Sequence, residues 1–248
     1  MSRADPTGAT DEDEADAGPL ERHSLPGAIR RALLDFFYNS IRLVPANVLW
    51  GILLIALGWL AVLVGTWLAI LGLPLLGLPL VGIYRLAGHV TRGQEVVLSD
   101  VVTAARQQFL PAIALGAAVG WGLGLLAFNV VAGLASANPL GYAIATLAGW
   151  GFVALTIYAV VAWPVLADPA RTGEPARSRL RLAGYLVLAA PFRMAALTLL
   201  AVVLWVVSTI AFAAIVTITV SFVACLSARV VLPDADRLAE RLEARGRR

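Results

Sequence analysis

Hydrophobic positions in this chain gather into three long stretches without a charged residue, and polar positions gather between them. The uncharged stretches cover residues 43–84, 107–167 and 194–228. An α-helix rises about 1.5 Å per residue and needs about 20 residues to cross a bilayer. The first two stretches are long enough for two crossings each, and each therefore predicts a membrane hairpin.

Turn-forming residues suggest where these two hairpins reverse. In the first, we expect one span over 46–70 and a second ending near residue 89, because Gly and Pro interrupt the pattern at 72–74. In the second, spans over 109–135 and 139–166 flank a short turn. Proline at the start of a span is tolerated when neighbouring groups satisfy the freed carbonyl.

The third stretch is short for two crossings, and it contains no Gly or Pro to mark a turn. Two spans fit only if the first begins near Leu186, so that Arg193 reaches from inside the span to the headgroups. A single crossing would place the six arginines of 229–248 on the opposite side from the other arginine segments. Arginine-rich loops are retained in the cytoplasm. We therefore expect two spans here and six in all, with both termini cytoplasmic.

An arginine-bearing segment precedes each uncharged stretch. Residues 28–44 place apolar side chains on one face at helical spacing and arginines on others, as in a helix lying in the membrane interface. A soluble amphipathic helix would show the same pattern. Shorter segments begin at Ser99 and Ser178, and a proline follows each of the three segments: Pro45, Pro111 and Pro191. The pattern predicts an all-α polytopic membrane helix bundle of three hairpins with amphipathic interfacial helices.

The two ends of the chain differ from the region between them. Residues 1–24 contain an acidic block and too few apolar residues to form a core, so we expect a disordered acidic tail. Residues 25–232 form the expected six-span membrane domain, and Pro233 is expected to close its last span. Residues 233–248 then form a short charged cytoplasmic helix.

Composition supports a membrane protein. The chain is 60% hydrophobic and 14% charged, whereas soluble domains are about 45–50% apolar and about 25% charged. Residues 22–248 carry eighteen arginines against nine acids, and the membrane surface accounts for this excess without a nucleic-acid ligand. Every basic residue is arginine and alanine is abundant, which indicates a GC-rich bacterial genome and hence the bacterial cell (inner) membrane.

The sequence contains no arrangement typical of catalysis. Its two histidines, His23 and His89, and its single cysteine, Cys225, show no metal-ligand spacing. No nucleophile elbow or phosphate-binding loop is present. The uncharged stretches also lack the ionisable residues that mark ion-coupled transport. We therefore expect a non-enzymatic protein with no catalytic residue, metal or cofactor.

Small residues recur every four positions within the second hairpin. This spacing places them on one face of a helix and lets two helix backbones approach closely in lipid. Flexibility in a gate is the alternative use of the same glycines. The predicted helix-packing residues are Ala112, Gly116, Gly120, Gly124, Gly141, Ala145 and Gly149.

Two segments resemble the YesL-like integral membrane proteins, a bacterial family whose domain has no known function. The stretch NVLW at 47–50 is similar to that family's NLLW signature, and residues 78–109 are similar to its second span, loop and following segment. Val101 and Val102 stand where the family has aromatic residues. The residues that carry the resemblance are Asn47, Trp50, Asp100 and Phe109.

The resemblance implies an accessory role near sugar import, because genes of the YesL-like family often accompany carbohydrate-uptake genes. It transfers no catalytic residue. The expected partners are the lipid bilayer and membrane transporter subunits, and the oligomeric state is left open. A small transporter or facilitator for an uncharged solute is the alternative function.

Overall fold

Helices make up all the regular structure in the part of the chain that the computed structural model describes, which is Leu20 and residues 24–246. The helices are α1 (Leu25–Tyr38), α2 (Ser40–Leu63), α3 (Thr66–Gly72), α4 (Gly77–Thr91), α5 (Ser99–Gln107), α6 (Phe109–Ala135), α7 (Pro139–Ala167), α8 (Ala176–Ala189), α9 (Pro191–Ile210), α10 (Phe212–Ala214) and α11 (Val220–Gly246). Short 3₁₀ turns form at Leu73–Leu76 and Pro169–Arg171, and a π-helical turn forms at Ile215–Thr219. The tail predicted over 1–24 lies, apart from Leu20 and Ser24, outside the described residues.

Six helical stretches in the described part of the chain are long and apolar enough to cross a membrane. They are Ser40–Leu63, Thr66–Thr91, Phe109–Ala135, Pro139–Ala167, Pro191–Ile210 and Val216–Arg245. The prediction of an all-α, six-span membrane bundle is therefore confirmed. Because successive spans run in opposite directions, the connections at 64–65, 136–138 and 211–215 fall on one side of the bundle, and none of them contains a charged residue. The described charged residues lie toward the opposite end, which we call the charged end.

The first hairpin turns earlier than predicted. Helix α2 ends at Leu63, and the chain reverses at 64–65 rather than near 72–74. Gly65 has a φ of 149°, a conformation that glycine adopts far more readily than other residues. Residues Leu73–Leu76 instead form a 3₁₀ turn that leads directly into α4. Pro74 fits at the start of this turn, because the first residues of a helical turn need no amide donor.

Two predicted boundaries at prolines are also wrong. Pro45 lies inside α2, which already begins at Ser40, and Pro233 lies inside α11, which continues to Gly246. A proline removes one backbone N–H, but a helix can continue through it when neighbouring groups hold both sides in place. Buried residues flank both prolines closely. The predicted domain boundary at 232/233 is therefore not the end of a helix.

The second and third hairpins follow the predicted arrangement of spans. Helices α6 and α7 match the expected second hairpin to within one residue. The third hairpin also contains two spans. Its first span begins at Pro191, because the helical conformation is interrupted at Ala190, between α8 and α9. Arg193 therefore lies in the first turn of α9, and its Nε atom is 3.2 Å from Oδ2 of Asp234.

The last helix forms the centre of the bundle. In the most apolar part of the final span 72% of the residues are buried, compared with 17–33% in the other five spans. Helix α11 contacts α1, α4, α7 and α8. Its fully buried side chains include Leu226 and Leu232, which belong to the same core as Leu86 and Leu166. The other spans thus surround α11, and most of its surface contacts protein rather than lipid.

Helices α4 and α6 approach closely where both carry glycine. A methyl group at Gly77 would collide with the backbone oxygen of Ala112. A methyl group at Gly116 would lie 2.8 Å from the carbonyl oxygen of Pro74. These neighbours are backbone atoms, so they could move aside only if the helices separated. By contrast, no atom lies within 4 Å of the position that a methyl group would take at Gly124.

The variants Gly77→Ala and Gly124→Ala form a matched pair that tests this contact. We expect Gly77→Ala to lower the free energy of unfolding by about 1–3 kcal/mol, because overpacking forces the backbones apart. Gly124→Ala should leave it unchanged or raise it by up to about 1 kcal/mol, since alanine has the higher helix propensity. Thermal unfolding of both purified proteins in one detergent measures the difference. Equal stabilities would show that α4 and α6 do not depend on this approach.

Candidate functional site

Four charged side chains from three separate regions of the chain form one cluster at the charged end. Arg92 follows α4, Asp168 and Arg171 follow α7, and Asp236 lies on α11. The Nε and Nη2 atoms of Arg92 donate to the two carboxylate oxygens of Asp168 at 2.8 and 2.7 Å. Arg171 Nη2 donates to Asp236 Oδ1 at 2.8 Å, and Arg92 Nη2 lies 3.3 Å from the same carboxylate. The cluster therefore joins the ends of all three hairpins.

Asp168 is the centre of this cluster. Its side chain has 0% exposure, and its Oδ2 atom lies 3.3 Å from Nε of Arg171. Oδ1 also accepts from the backbone N–H of Ala170 at 3.1 Å, which caps the 3₁₀ turn after α7. A buried carboxylate is stable when charged donors and amides replace its water. Asp168 thus fixes the loop after α7 against the end of α4.

Two further arginines satisfy carbonyl groups at the end of α7. Arg179 Nη1 donates to the carbonyl oxygen of Leu166, and Arg85 Nη1 donates to that of Asp168 at 3.4 Å. The last carbonyls of a helix have no partner within the helix and lie at the negative end of its dipole. Cations at this position therefore stabilise a helix that ends inside the protein.

The pKa values of the buried arginines reflect what each one contacts. Burial alone lowers the pKa of a guanidinium, but the hydrogen bonds and charge of Asp168, together with Asp236, raise the pKa of Arg92 above its ordinary value. Burial lowers the pKa of Arg179, which donates to a neutral carbonyl. Arginine stays protonated near neutral pH in either case. The cluster therefore holds two cations, Arg92 and Arg171, against two carboxylates.

Two more ion pairs attach α11 to elements that are distant in the sequence. The Nε and Nη2 atoms of Arg229 donate to the carboxylate of Asp35 on α1 at 2.5 and 2.9 Å. Within the third hairpin, Nε of Arg193 on α9 lies 3.2 Å from Oδ2 of Asp234 on α11. Helix α11 thus provides a cation for α1 and anions for α9 and the loop after α7.

A second polar site lies within the membrane region, where Asn47 meets the π-helical turn. Asn47 is fully buried. Its Nδ2 donates to the carbonyl oxygen of Val216 at 2.6 Å, and its Oδ1 accepts from the backbone N–H of Ser221 at 2.8 Å. Ser221 Oγ donates to the carbonyl oxygen of Leu43 at 2.9 Å. A π-helical turn interrupts the regular backbone bonding, and unpaired backbone groups are costly in lipid. Asn47 supplies the missing partners.

The other residues that carry the resemblance to the YesL-like proteins lie in separate places. Trp50, one helical turn after Asn47, packs edge-on against Trp205 of α9 with ring centroids 5.7 Å apart. Asp100 lies at the start of α5, and its Oδ2 is 3.9 Å from Nε2 of His89. Phe109, the first residue of α6, is 49% exposed. Only the asparagine and the tryptophan therefore share a site.

The predicted helix-packing residues divide between two contacts and open positions. Three residues on α6 face the turn at 73–76 and the start of α4: Ala112, Gly116 and Gly120. Two residues on α7 lie against Gly133 of α6: Gly141 and Ala145. The remaining two have no atom within 4 Å of the position that a Cβ atom would take: Gly124 and Gly149. The first five positions thus lie where helices approach, and the last two do not.

An apolar cavity of about 240 Å³ lies between α4, α6, α7, α9 and α11. Tyr84, Trp163 and Trp205 form part of its wall, and the first two rings are stacked with centroids 6.3 Å apart. Thr156 also lines the cavity, but its hydroxyl donates to the carbonyl oxygen of Phe152 at 2.7 Å. The cavity therefore suits an uncharged, mainly apolar group.

Sequence reasoning singled out Asn47 but missed the residues that it contacts and the whole ion-pair cluster. It used the arginines of this cluster only as markers of topology. A signal did exist: Asp168 directly follows an uncharged stretch of sixty-one residues, and Asp234 and Asp236 lie within eight residues of the end of another. Acidic residues at span ends, beside arginine-rich segments, indicate ion pairs between hairpins.

No protein family, curated protein or solved structure matches this chain. The roles of its site residues accordingly follow from their own contacts, burial and charge. In the part of the chain that the structure describes, no group of three or more His, Cys, Asp or Glu side chains is placed to hold a metal ion.

Replacing Asp168 by asparagine tests the importance of the cluster. The change leaves Arg92 and Arg171 buried with less compensating charge, and removing one partner of a buried ion pair costs about 3–5 kcal/mol. Glu174→Gln is the matched control, because its side chain is 40% exposed and meets Arg171 at the edge of the cluster at 3.1 Å. The control should cost less than about 1 kcal/mol. Thermal unfolding in detergent measures both, and equal losses would contradict the central position of Asp168.

Proposed function

We propose that this chain is a non-enzymatic scaffold protein that acts through protein contacts as an accessory of a solute-uptake system. One observation carries the proposal: the cluster of Arg92, Asp168, Arg171 and Asp236 ties the ends of all three hairpins together. Carriers that alternate access move one group of helices against another. A bundle whose hairpins are held by buried ion pairs suits a protein that presents a fixed surface to its partners.

Carbohydrate is the solute class that we propose for the system. The support is the resemblance of NVLW at 47–50 and of residues 78–109 to the YesL-like proteins, whose genes often accompany carbohydrate-uptake genes. The contacts of Asn47 with the π-helical turn, and the burial of Trp50 beside Trp205, give a structural reason for those two motif positions.

Exposed aromatic side chains in the spans offer a surface for the helices of a membrane partner. Trp59 on α2, Trp67 on α3 and Trp150 on α7 are 60%, 80% and 71% exposed. Large aromatic side chains contribute much of the binding energy in protein interfaces. A transporter subunit that packs on these spans would cover them, and lipid would cover them in its absence.

The protein lies in the bacterial inner membrane in this proposal, with both termini in the cytoplasm. The support is the arginine-rich character of the charged end and the absence of charge from the three connections at the other end. Reporter fusions test the orientation. A cytoplasmic reporter should be active after residue 248 and at residue 174, and a periplasmic reporter should be active at residue 137. A C-terminus accessible from outside would contradict the proposed orientation.

Co-purification tests the accessory role. The tagged full chain, expressed in its own host and extracted in a mild detergent, should retain a transporter subunit in stoichiometric amounts. A strain that lacks the chain should grow more slowly on the carbohydrate which that transporter imports, and the plasmid-borne chain should restore growth. Carbohydrate flux through liposomes that contain only this purified chain would contradict the accessory role.

The alternative function is a facilitator for an uncharged solute, and the cavity of about 240 Å³ favours it. The same liposome assay distinguishes the two functions. If flux is seen, filling the cavity with Val202→Trp should abolish it, because Val202 lines the cavity. Flux that persists in this variant would exclude the cavity as the pathway.

A further inference from the structure

A groove with two arginines lies beside the first turns of α8. Its volume is about 490 Å³, and α6, α7 and α8 form its walls. Leu110, Pro111 and Ala114 of α6 contribute apolar surface, and Leu180 of α8 closes the groove from the other side. Arg177 and Arg181 stand at its edge. The groove therefore combines an apolar wall with concentrated positive charge.

The two arginines of the groove are available for a ligand. They stand four residues apart on α8, so their side chains project from the same face of the helix. Both are exposed, and no described residue forms an ion pair with either of them. The other arginines of this region are engaged elsewhere: Arg179 donates to Leu166, and Arg171 binds Asp168, Glu174 and Asp236. Two adjacent guanidinium groups without an acidic partner favour a phosphate, which they can bind with several hydrogen bonds.

The exposed face of α8 shows at what level of the membrane this groove lies. Arg177, Arg181, Tyr185 and Leu188 follow one another along this face at intervals of four, four and three residues. Tyr185 and Leu188 are 53% and 79% exposed, and the span α9 begins just afterwards. Tyrosine is enriched at the boundary between headgroups and acyl chains. The face thus changes from cationic to aromatic to aliphatic as the chain enters the membrane.

We infer that this groove binds one anionic phospholipid of the surrounding bilayer. The phosphate lies between Arg177 and Arg181, and an acyl chain lies along the apolar wall formed by α6. The wall continues into the lipid-facing surface, since Leu110 is 75% exposed. Tyr158 contributes its ring, because its hydroxyl already donates to the carbonyl oxygen of Leu180 at 3.2 Å. A free phosphate would use the arginines alone, whereas a lipid uses both the charge and the apolar wall.

Native mass spectrometry tests this inference. The full chain in detergent is titrated with phosphatidylglycerol or with phosphatidylcholine. The wild-type protein should bind phosphatidylglycerol more tightly. The double variant R177Q/R181Q should lose about 25-fold in affinity for it, because each arginine near an anionic headgroup contributes a factor of roughly five. The matched control is R237Q/R241Q, which removes two exposed arginines at the same spacing from α11. The control should retain the wild-type affinity.

Two further measurements separate a lipid site from a general attraction of charges. Ala114→Trp fills the apolar side of the groove without changing a charge, and it should weaken binding of phosphatidylglycerol about tenfold or more. Inorganic phosphate at the same concentration should not compete with the lipid. The fold of each variant is checked by its elution volume and melting temperature, and R177K/R181K, which keeps the charge, should retain most of the binding.

Several outcomes would overturn the inference. Equal affinity of the wild-type protein for both lipids would exclude an anionic site. Equal losses in R177Q/R181Q and R237Q/R241Q would show that net charge, rather than the groove, attracts the lipid. Competition by inorganic phosphate, or full binding by Ala114→Trp, would identify a free-anion site without an acyl-chain contact.

Discussion

The bidentate pair between Arg92 and Asp168 is the contact on which the arrangement of the three hairpins depends. Uncharged spans have little to distinguish one lateral arrangement from another, because lipid tails are as apolar as the side chains that face them. A buried charge has no such freedom, since leaving it without its partner is far more costly than shifting an apolar contact. The pair and its neighbours Arg171 and Asp236 therefore select one arrangement of hairpins among many apolar ones.

Within the bilayer, Asn47 has the corresponding role for the register of two helices. Its amide group contacts the carbonyl oxygen of Val216 and the N–H of Ser221, so α2 packs against α11 in one axial register only. A slide by one turn would leave the asparagine and two backbone groups without partners in an apolar environment. The charged cluster thus fixes which hairpins meet, and the asparagine fixes their vertical alignment.

The sequence predicts those features that the bilayer itself determines. The number of spans and the limits of α6 and α7 follow from the lengths of uncharged stretches, because the hydrocarbon thickness sets how many apolar residues a crossing needs. The turn at 64–65 and the continuation of helices through Pro45 and Pro233 were not predictable in this way, because contacts between distant segments decide them. The same holds for the ion pairs, whose partners are 76 residues apart for Arg92 and Asp168 and 194 apart for Asp35 and Arg229. The local sequence pattern shows where the charged residues are, but it does not show which of them pair with each other.

The central position of α11 has a consequence for the biosynthesis of the protein. Among the helices that the structure describes, α11 leaves the ribosome after all the others, yet it provides the surface around which α1, α4, α7 and α8 pack. Asn47 precedes its partner Ser221 by 174 residues, which at ordinary rates of translation is a delay of roughly 10 to 35 seconds. During that interval the earlier hairpins are already in the membrane with a polar side chain and buried charges that lack their final partners. The contacts of Asn47 and Asp35 with α11 therefore form only after this helix enters the membrane, whereas the pair between Arg92 and Asp168 needs only the first two hairpins.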